Sequence, residues 1–116
     1  MINPKSFYYA FKGIADLLSG RHKNAIIQML AVYVVTGLGF WFGLEAWEWC
    51  VIVLCFMIVL ALEAVNTAIE YTIDLISPEQ HPLAGKAKDM AAGAVLIAAI
   101  GTVVIAGIIL GARVWI

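Results

Sequence analysis

The chain has 116 residues, which leaves no room for a second domain of ordinary size. Its residues are 64% hydrophobic and 13% charged, with a mean hydropathy of +0.98, and this excludes an ordinary soluble domain. A net charge of −1 gives no footing for a nucleic-acid partner.

Taken in order, Asn3-Pro4 reads as an N-cap followed by proline at the first helical position. Phe7, Phe11, Ile14 and Leu18 then recur at helical spacing, opposite Lys5, Lys12, Asp16 and Ser19, with Gly20 as a stop. The pattern predicts an amphipathic helix over residues 4–19, too short and too polar to span a bilayer. It is expected to lie along the membrane surface, a placement compatible with packing on a bundle. No apolar h-region with a small-residue cleavage site follows Met1, so no cleaved signal peptide is expected.

Arg21-His22-Lys23-Asn24 forms a basic hinge. Residues 25–44 carry no charge and are long enough for a first span. Gly39 and Gly43 stand in a close-packing spacing near its end. Residues 45–49 make an acidic, aromatic turn, and Trp41, Trp47 and Trp49 are placed as an interfacial belt.

A second span is expected over residues 46–76. Its length of roughly 46 Å exceeds a hydrocarbon core of about 30 Å, so one end projects from the membrane. Cys50 and Cys55 lie on it with Cα atoms roughly 8–9 Å apart, too far for a disulfide within the helix. Toward the projecting end, Glu63, Asn66, Glu70 and Asp74 fall on one helical face. A carboxylate near hydrocarbon is costly, and such groups normally face a protein interior or a wet cavity. An anchor would not need this stripe.

Ser77-Pro78-Glu79-Gln80-His81-Pro82 breaks the helix, and a third span is expected over residues 83–114, rich in alanine and glycine. Lys5, Lys12, Arg21, Lys23, Lys86 and Lys88 then share one side of the membrane, and Arg113 lies on the other. This imbalance predicts a cytoplasmic N-terminus and a cytoplasmic loop between the second and third spans.

Two polar elements therefore converge on one surface: the stripe, and the segment from His81 to Asp89. Carboxylates with an amide oxygen suit a hard cation such as Mg²⁺, which keeps waters and binds substrate phosphates. A lysine beside them would offset phosphate charge, and one carboxylate could serve as base toward a hydroxyl. No nucleotide motif accompanies them: Gly85-Lys86 is followed by Ala87, with Gln80 where a P-loop needs glycine. Taken singly, His81 reads as a loop histidine satisfied by backbone, Lys86 as a solvated charge, and Asp89 as favouring the positive end of the third span.

Three runs carry a resemblance. They are Glu63-Ala-Val-Asn66-Thr-Ala-Ile-Glu70 with Asp74, Ser77-Pro78-Glu79-Gln80-His81-Pro82-Leu83, and Ala87-Lys88-Asp89-Met90-Ala-Ala-Gly-Ala-Val. Together with Phe11-Lys12-Gly13 they resemble the prokaryotic diacylglycerol kinase/undecaprenol kinase family, closer in wording to the undecaprenol branch.

The resemblance implies an all-α polytopic protein of the bacterial cytoplasmic membrane, a homotrimer with sites between neighbours. It implies transfer of the ATP γ-phosphate, with Mg²⁺, to a membrane lipid alcohol: undecaprenol first, diacylglycerol next. Carried over, Glu63 is the base, Asn66 a positioning group and Glu70 a metal ligand. Lys88 and Asp89 meet nucleotide phosphate, and His81 lines the nucleotide pocket. The family also carries a glutamate near the start of its first span; a gap-free placement puts His22 there, and imidazole is a poorer partner for Mg²⁺.

Two other classes remain open at this stage. A proton- or ion-coupled component would use the carboxylates as a relay, although they stop near the cytoplasmic interface. A small structural membrane protein would keep the kinase site only in degenerate form.

Overall fold

The computed structural model describes residues 3–115, and within them every regular element is helical: α1 (Pro4–Leu17), α2 (Lys23–Phe42), α3 (Ala46–Ile76) and α4 (Pro82–Trp115). The last three are long and apolar enough to cross a membrane. This is the expected all-α architecture of one amphipathic helix and three spans. The bounds of α3 match the sequence reading, and the others shift by one or two residues.

α1 starts as its sequence dictates. The Asn3 side chain accepts the Ser6 backbone N–H at 3.0 Å, and Pro4 takes the position where its missing N–H costs nothing. The helix stops two residues early because the Ser19 hydroxyl donates to the Asp16 carbonyl at 2.7 Å and Gly20 turns the chain with φ 91°. Only Leu17 of α1 is buried. Phe7, Phe11 and Ile14 stay exposed, so the rest of this chain leaves much of the apolar face open. An apolar face left largely open suits a helix in a membrane interface, and its contacts with α3 are compatible with that placement.

α2 ends at Gly43, which adopts φ 72°, and its N–H donates to the Gly39 carbonyl at 2.9 Å. Gly39, four residues earlier, is buried beneath the Trp49 indole. The predicted glycine spacing therefore splits into two jobs: Gly39 makes room for a ring and Gly43 makes the turn. Trp49 is correspondingly half-buried and lies 4.9 Å from the Phe40 ring, so it packs inward and does not join the interfacial belt. Trp41 and Trp47 are exposed, as a belt requires.

Glu45 and Glu48 close a capping box at the start of α3, with the Glu45 N–H donating to Glu48 Oε1 at 2.9 Å. From there α3 and α4 run as an antiparallel hairpin, the most extensive packing in the molecule. Ile52, Phe56 and Ile109 form the core near the α2–α3 turn. Packing and buried polar bonds hold such helices together, because lipid tails are as apolar as leucine. The two cysteines are free. The Ser77 N–H closes α3 onto the Ile73 carbonyl at 2.7 Å, and Pro78 and Pro82 keep the helix from continuing.

Candidate active site

The stripe on α3 lies on one face as its spacing requires, and burial grades along it. Glu63 and Asn66 are almost fully buried, with 2% and 5% exposure, while Glu70 and Asp74 are exposed. The Asn66 amide nitrogen donates to Glu70 Oε1 at 3.2 Å. That bond uses the amide as a donor and leaves Asn66 Oδ1 buried with no partner, as is Glu63 Oε1. An unsatisfied buried polar atom costs about 1–3 kcal/mol, and native structures retain few. Two of them, three residues apart on one helical face, make a site that wants a donor or a cation.

Both residues line a cavity of about 250 Å³ between α2, α3 and α4. Asn24 and Gln28 of α2 close its polar side, and Val95 and Leu96 of α4 its apolar side. Asn24 and Gln28 are one helical turn apart, the spacing that puts both on one face. Sequence reasoning passed over them, and their recurrence in an otherwise apolar run was the available signal. His22 also lies within electrostatic reach of Glu63.

A second cavity, of about 570 Å³, opens where α3 turns into α4 and includes Asp74, Ser77, Glu79, His81 and Lys88 in its walls. Lys88 Nζ donates to Asp74 Oδ1 at 2.6 Å, so the lysine of α4 does face the stripe. His81 caps α4: its Nδ1 accepts the Leu83 N–H at 3.1 Å, and its carbonyl accepts the Gly85 N–H at 3.0 Å. The ring thereby keeps Nε2 as its remaining polar atom. Asp89 is exposed on α4 and lines neither cavity. The structure therefore joins Glu63 with Asn66 and Glu70, and Lys88 with His81 and Asp74, and leaves Asp89 apart from both.

Among the described residues, no three His, Cys, Asp or Glu side chains converge to hold a metal ion. Mg²⁺ does not need such a cage; it is commonly held by one or two carboxylates, with phosphates and water completing the octahedron. The exposed Glu70 carboxylate is a donor of that minimal kind.

The family model for prokaryotic diacylglycerol kinase matches residues 8–110. This chain belongs to the prokaryotic diacylglycerol kinase family. It is 42% identical over 96 residues to an undecaprenol kinase of Bacillus subtilis, covering 83% of this chain and 77% of that one. It is 39% identical over 106 residues to a diacylglycerol kinase of Synechocystis, covering 90% of this chain and 60% of the longer relative. A diacylglycerol kinase of Escherichia coli is 37% identical over 103 residues, 86% of this chain and 81% of that one. The protein is thus a membrane-embedded lipid kinase, and membership implies use of ATP and a lipid substrate.

Proposed function

We propose that the protein transfers the γ-phosphate of ATP to the hydroxyl of undecaprenol, with diacylglycerol as the next candidate acceptor, at the cytoplasmic face of the bacterial inner membrane. The observation that carries this reading is the pair of unpartnered buried oxygens, Glu63 Oε1 and Asn66 Oδ1, on a cavity open to the membrane-spanning helices. An apolar cavity wall with a few acceptor atoms suits a lipid bearing one hydroxyl. The greater likeness to the undecaprenol kinase favours that acceptor.

Each residue has a part. Glu63 accepts the hydroxyl proton as the lipid oxygen bonds to the γ-phosphorus and the bond to ADP breaks. Asn66 holds Glu70 through its amide and turns its oxygen toward the acceptor. Glu70 would hold Mg²⁺, which supplies charge neutralisation on the phosphates. Lys88 leaves Asp74 for the phosphates, and His81 offers Nε2 to the nucleotide from the cap of α4. Asp89, exposed on α4, would meet nucleotide phosphate with Lys88.

The whole chain acts as one unit, with the basic side at the cytoplasm, where ATP is present. Homotrimeric assembly fits the small residues of α4: a Cβ added at Gly93, Gly101, Gly107 or Gly111 meets nothing from this chain. Glu70, exposed here, would then face a neighbour's nucleotide cavity. The test is phosphate transfer from ATP to undecaprenol and to diacylglycerol in mixed micelles, with wild type and Glu70→Ala. Transfer to undecaprenol that Glu70→Ala abolishes supports the reading. Preference for diacylglycerol replaces the acceptor, and transfer to neither lipid by folded protein overturns the proposal.

A further inference from the structure

Three helices meet at one phenol. Tyr71 of α3 donates its O–H to Asp16 Oδ2 of α1 at 3.2 Å and lies 3.4 Å from Nε2 of His22, the residue that opens α2. The two rings stand edge-on with centroids 6.2 Å apart, and Asp16 Oδ2 is itself 3.7 Å from the same His22 nitrogen. Arg21 pairs with the other Asp16 oxygen. His22 occupies an N-cap position, yet its side chain makes no capping bond to α2. The imidazole makes no bond to the helix end it could have capped, only 18% of its side chain is exposed, and it lies within electrostatic reach of Glu63.

The proton count at this junction fixes the ring. A phenol has one proton, and an ionised carboxylate can only accept, so the Tyr71 proton goes to Asp16. Toward His22 the phenol oxygen then presents lone pairs, as does Asp16. Both neighbours of Nε2 are acceptors, so Nε2 carries the hydrogen and a neutral ring keeps its lone pair at Nδ1.

We propose that Tyr71 and Asp16 are positioning residues that hold His22 as the Nε2–H tautomer and thereby clamp the surface helix and its hinge against the Glu63 end of the stripe. The proposal rests on the reading of Glu63 as the base for its effect on catalysis. Without the clamp, α1 is held to α3 by limited packing, because Leu17 is its one buried residue and the rest of its apolar face is largely exposed. With it, the hinge cannot move without moving a ring within electrostatic reach of Glu63.

The test combines ¹⁵N-histidine NMR of the micelle-bound protein with steady-state kinetics. His22→Gln assigns the two histidine signals. Wild type should show His22 with Nε2 protonated and Nδ1 bare. Tyr71→Phe keeps the ring and removes the hydroxyl; it should give a tautomer mixture and a kcat for lipid phosphorylation about ten-fold lower, with KM for ATP unchanged. Asp16→Ala should behave alike. Asp16→Asn keeps an oxygen for the phenol and should retain the tautomer and stay within about three-fold of wild-type kcat. A wild-type ring protonated at Nδ1 would overturn the proposal. So would a tautomer change without loss of kcat, or a loss of kcat with the tautomer intact. The ring signal is read without substrate, so a wild type unable to phosphorylate lipid would sink the kinase reading while the tautomer still decided the clamp.

Discussion

Arg113 of α4 pairs its guanidinium with the carboxylate of Glu48, a residue 65 positions earlier that is only 5% exposed. The contact pins the start of α3 to the end of α4, opposite the end that carries the stripe. Glu48 also accepts the Glu45 N–H of the capping box, so its charge is committed twice. Removing one partner of a buried pair strands the other. Arg113→Ala should therefore destabilise the folded protein by about 3 kcal/mol, read as a lowered midpoint in denaturant titration of the micelle-bound protein. The double variant Glu48→Gln/Arg113→Met should recover most of that loss. Equal losses in the single and double variants would show that the capping box, not the ion pair, matters.

Glu63 separates stability from chemistry. Its carboxylate is buried with one oxygen unpartnered, so as a structural group it is a liability. Glu63→Gln keeps the shape and removes the charge. Lipid phosphorylation should fall by about 10²–10⁴-fold, the range for loss of a general base. Thermal stability should stay level or rise. A Glu63→Gln protein that melted earlier and kept its kcat would mark this carboxylate as structural.

Lys88 and Asp74 form an exposed pair, with 41% and 63% of their side chains accessible, so their contact contributes less than about 1 kcal/mol to the fold. Lys88→Ala should thus leave the melting temperature almost unchanged while raising KM for ATP and lowering kcat together. Asp74→Ala should cost far less, since the lysine leaves that partner when phosphate arrives. Comparable kinetic losses in the two variants would mean that the pair acts as a unit and that Lys88 does not let go.

Periodicity made the helices readable. An uncharged stretch of bilayer length leaves one solution, because every backbone group must be satisfied within the segment. The stripe was readable for the same reason, since offsets of three and four put Glu63, Asn66 and Glu70 on one face. What lay between helices was not. Nothing local to Arg113 or Glu48 announces a pair that depends on α3 and α4 being antiparallel and in register. The Tyr71–Asp16 bond likewise joins residues 55 apart through a turn whose geometry rests on Gly20. Asp89 shows the opposite limit: its place beside Lys88 in the sequence turns it about 100° around the helix, away from the partner Lys88 finds.

Gly39 and Gly43 share a spacing but should fail differently. A Cβ added at Gly39 would lie 2.5 Å from Cη2 and 2.9 Å from Cζ2 of Trp49. Gly39→Ala should cost about 1–3 kcal/mol through overpacking. Because the obstacle is a side chain, Trp49→Leu in the same protein should return part of that stability even though each change alone is harmful. At Gly43 the space is open, and the difficulty is φ 72°, a backbone conformation that a Cβ disfavours. Gly43→Ala should cost about 1 kcal/mol, and Trp49→Leu should not relieve it. Gly43→Asn should be milder than Gly43→Ala, because asparagine tolerates the left-handed region. Denaturant midpoints of the single and paired variants decide the matter: rescue at 39 and none at 43 supports the division of labour, and rescue at both would mean that the two glycines serve one packing contact.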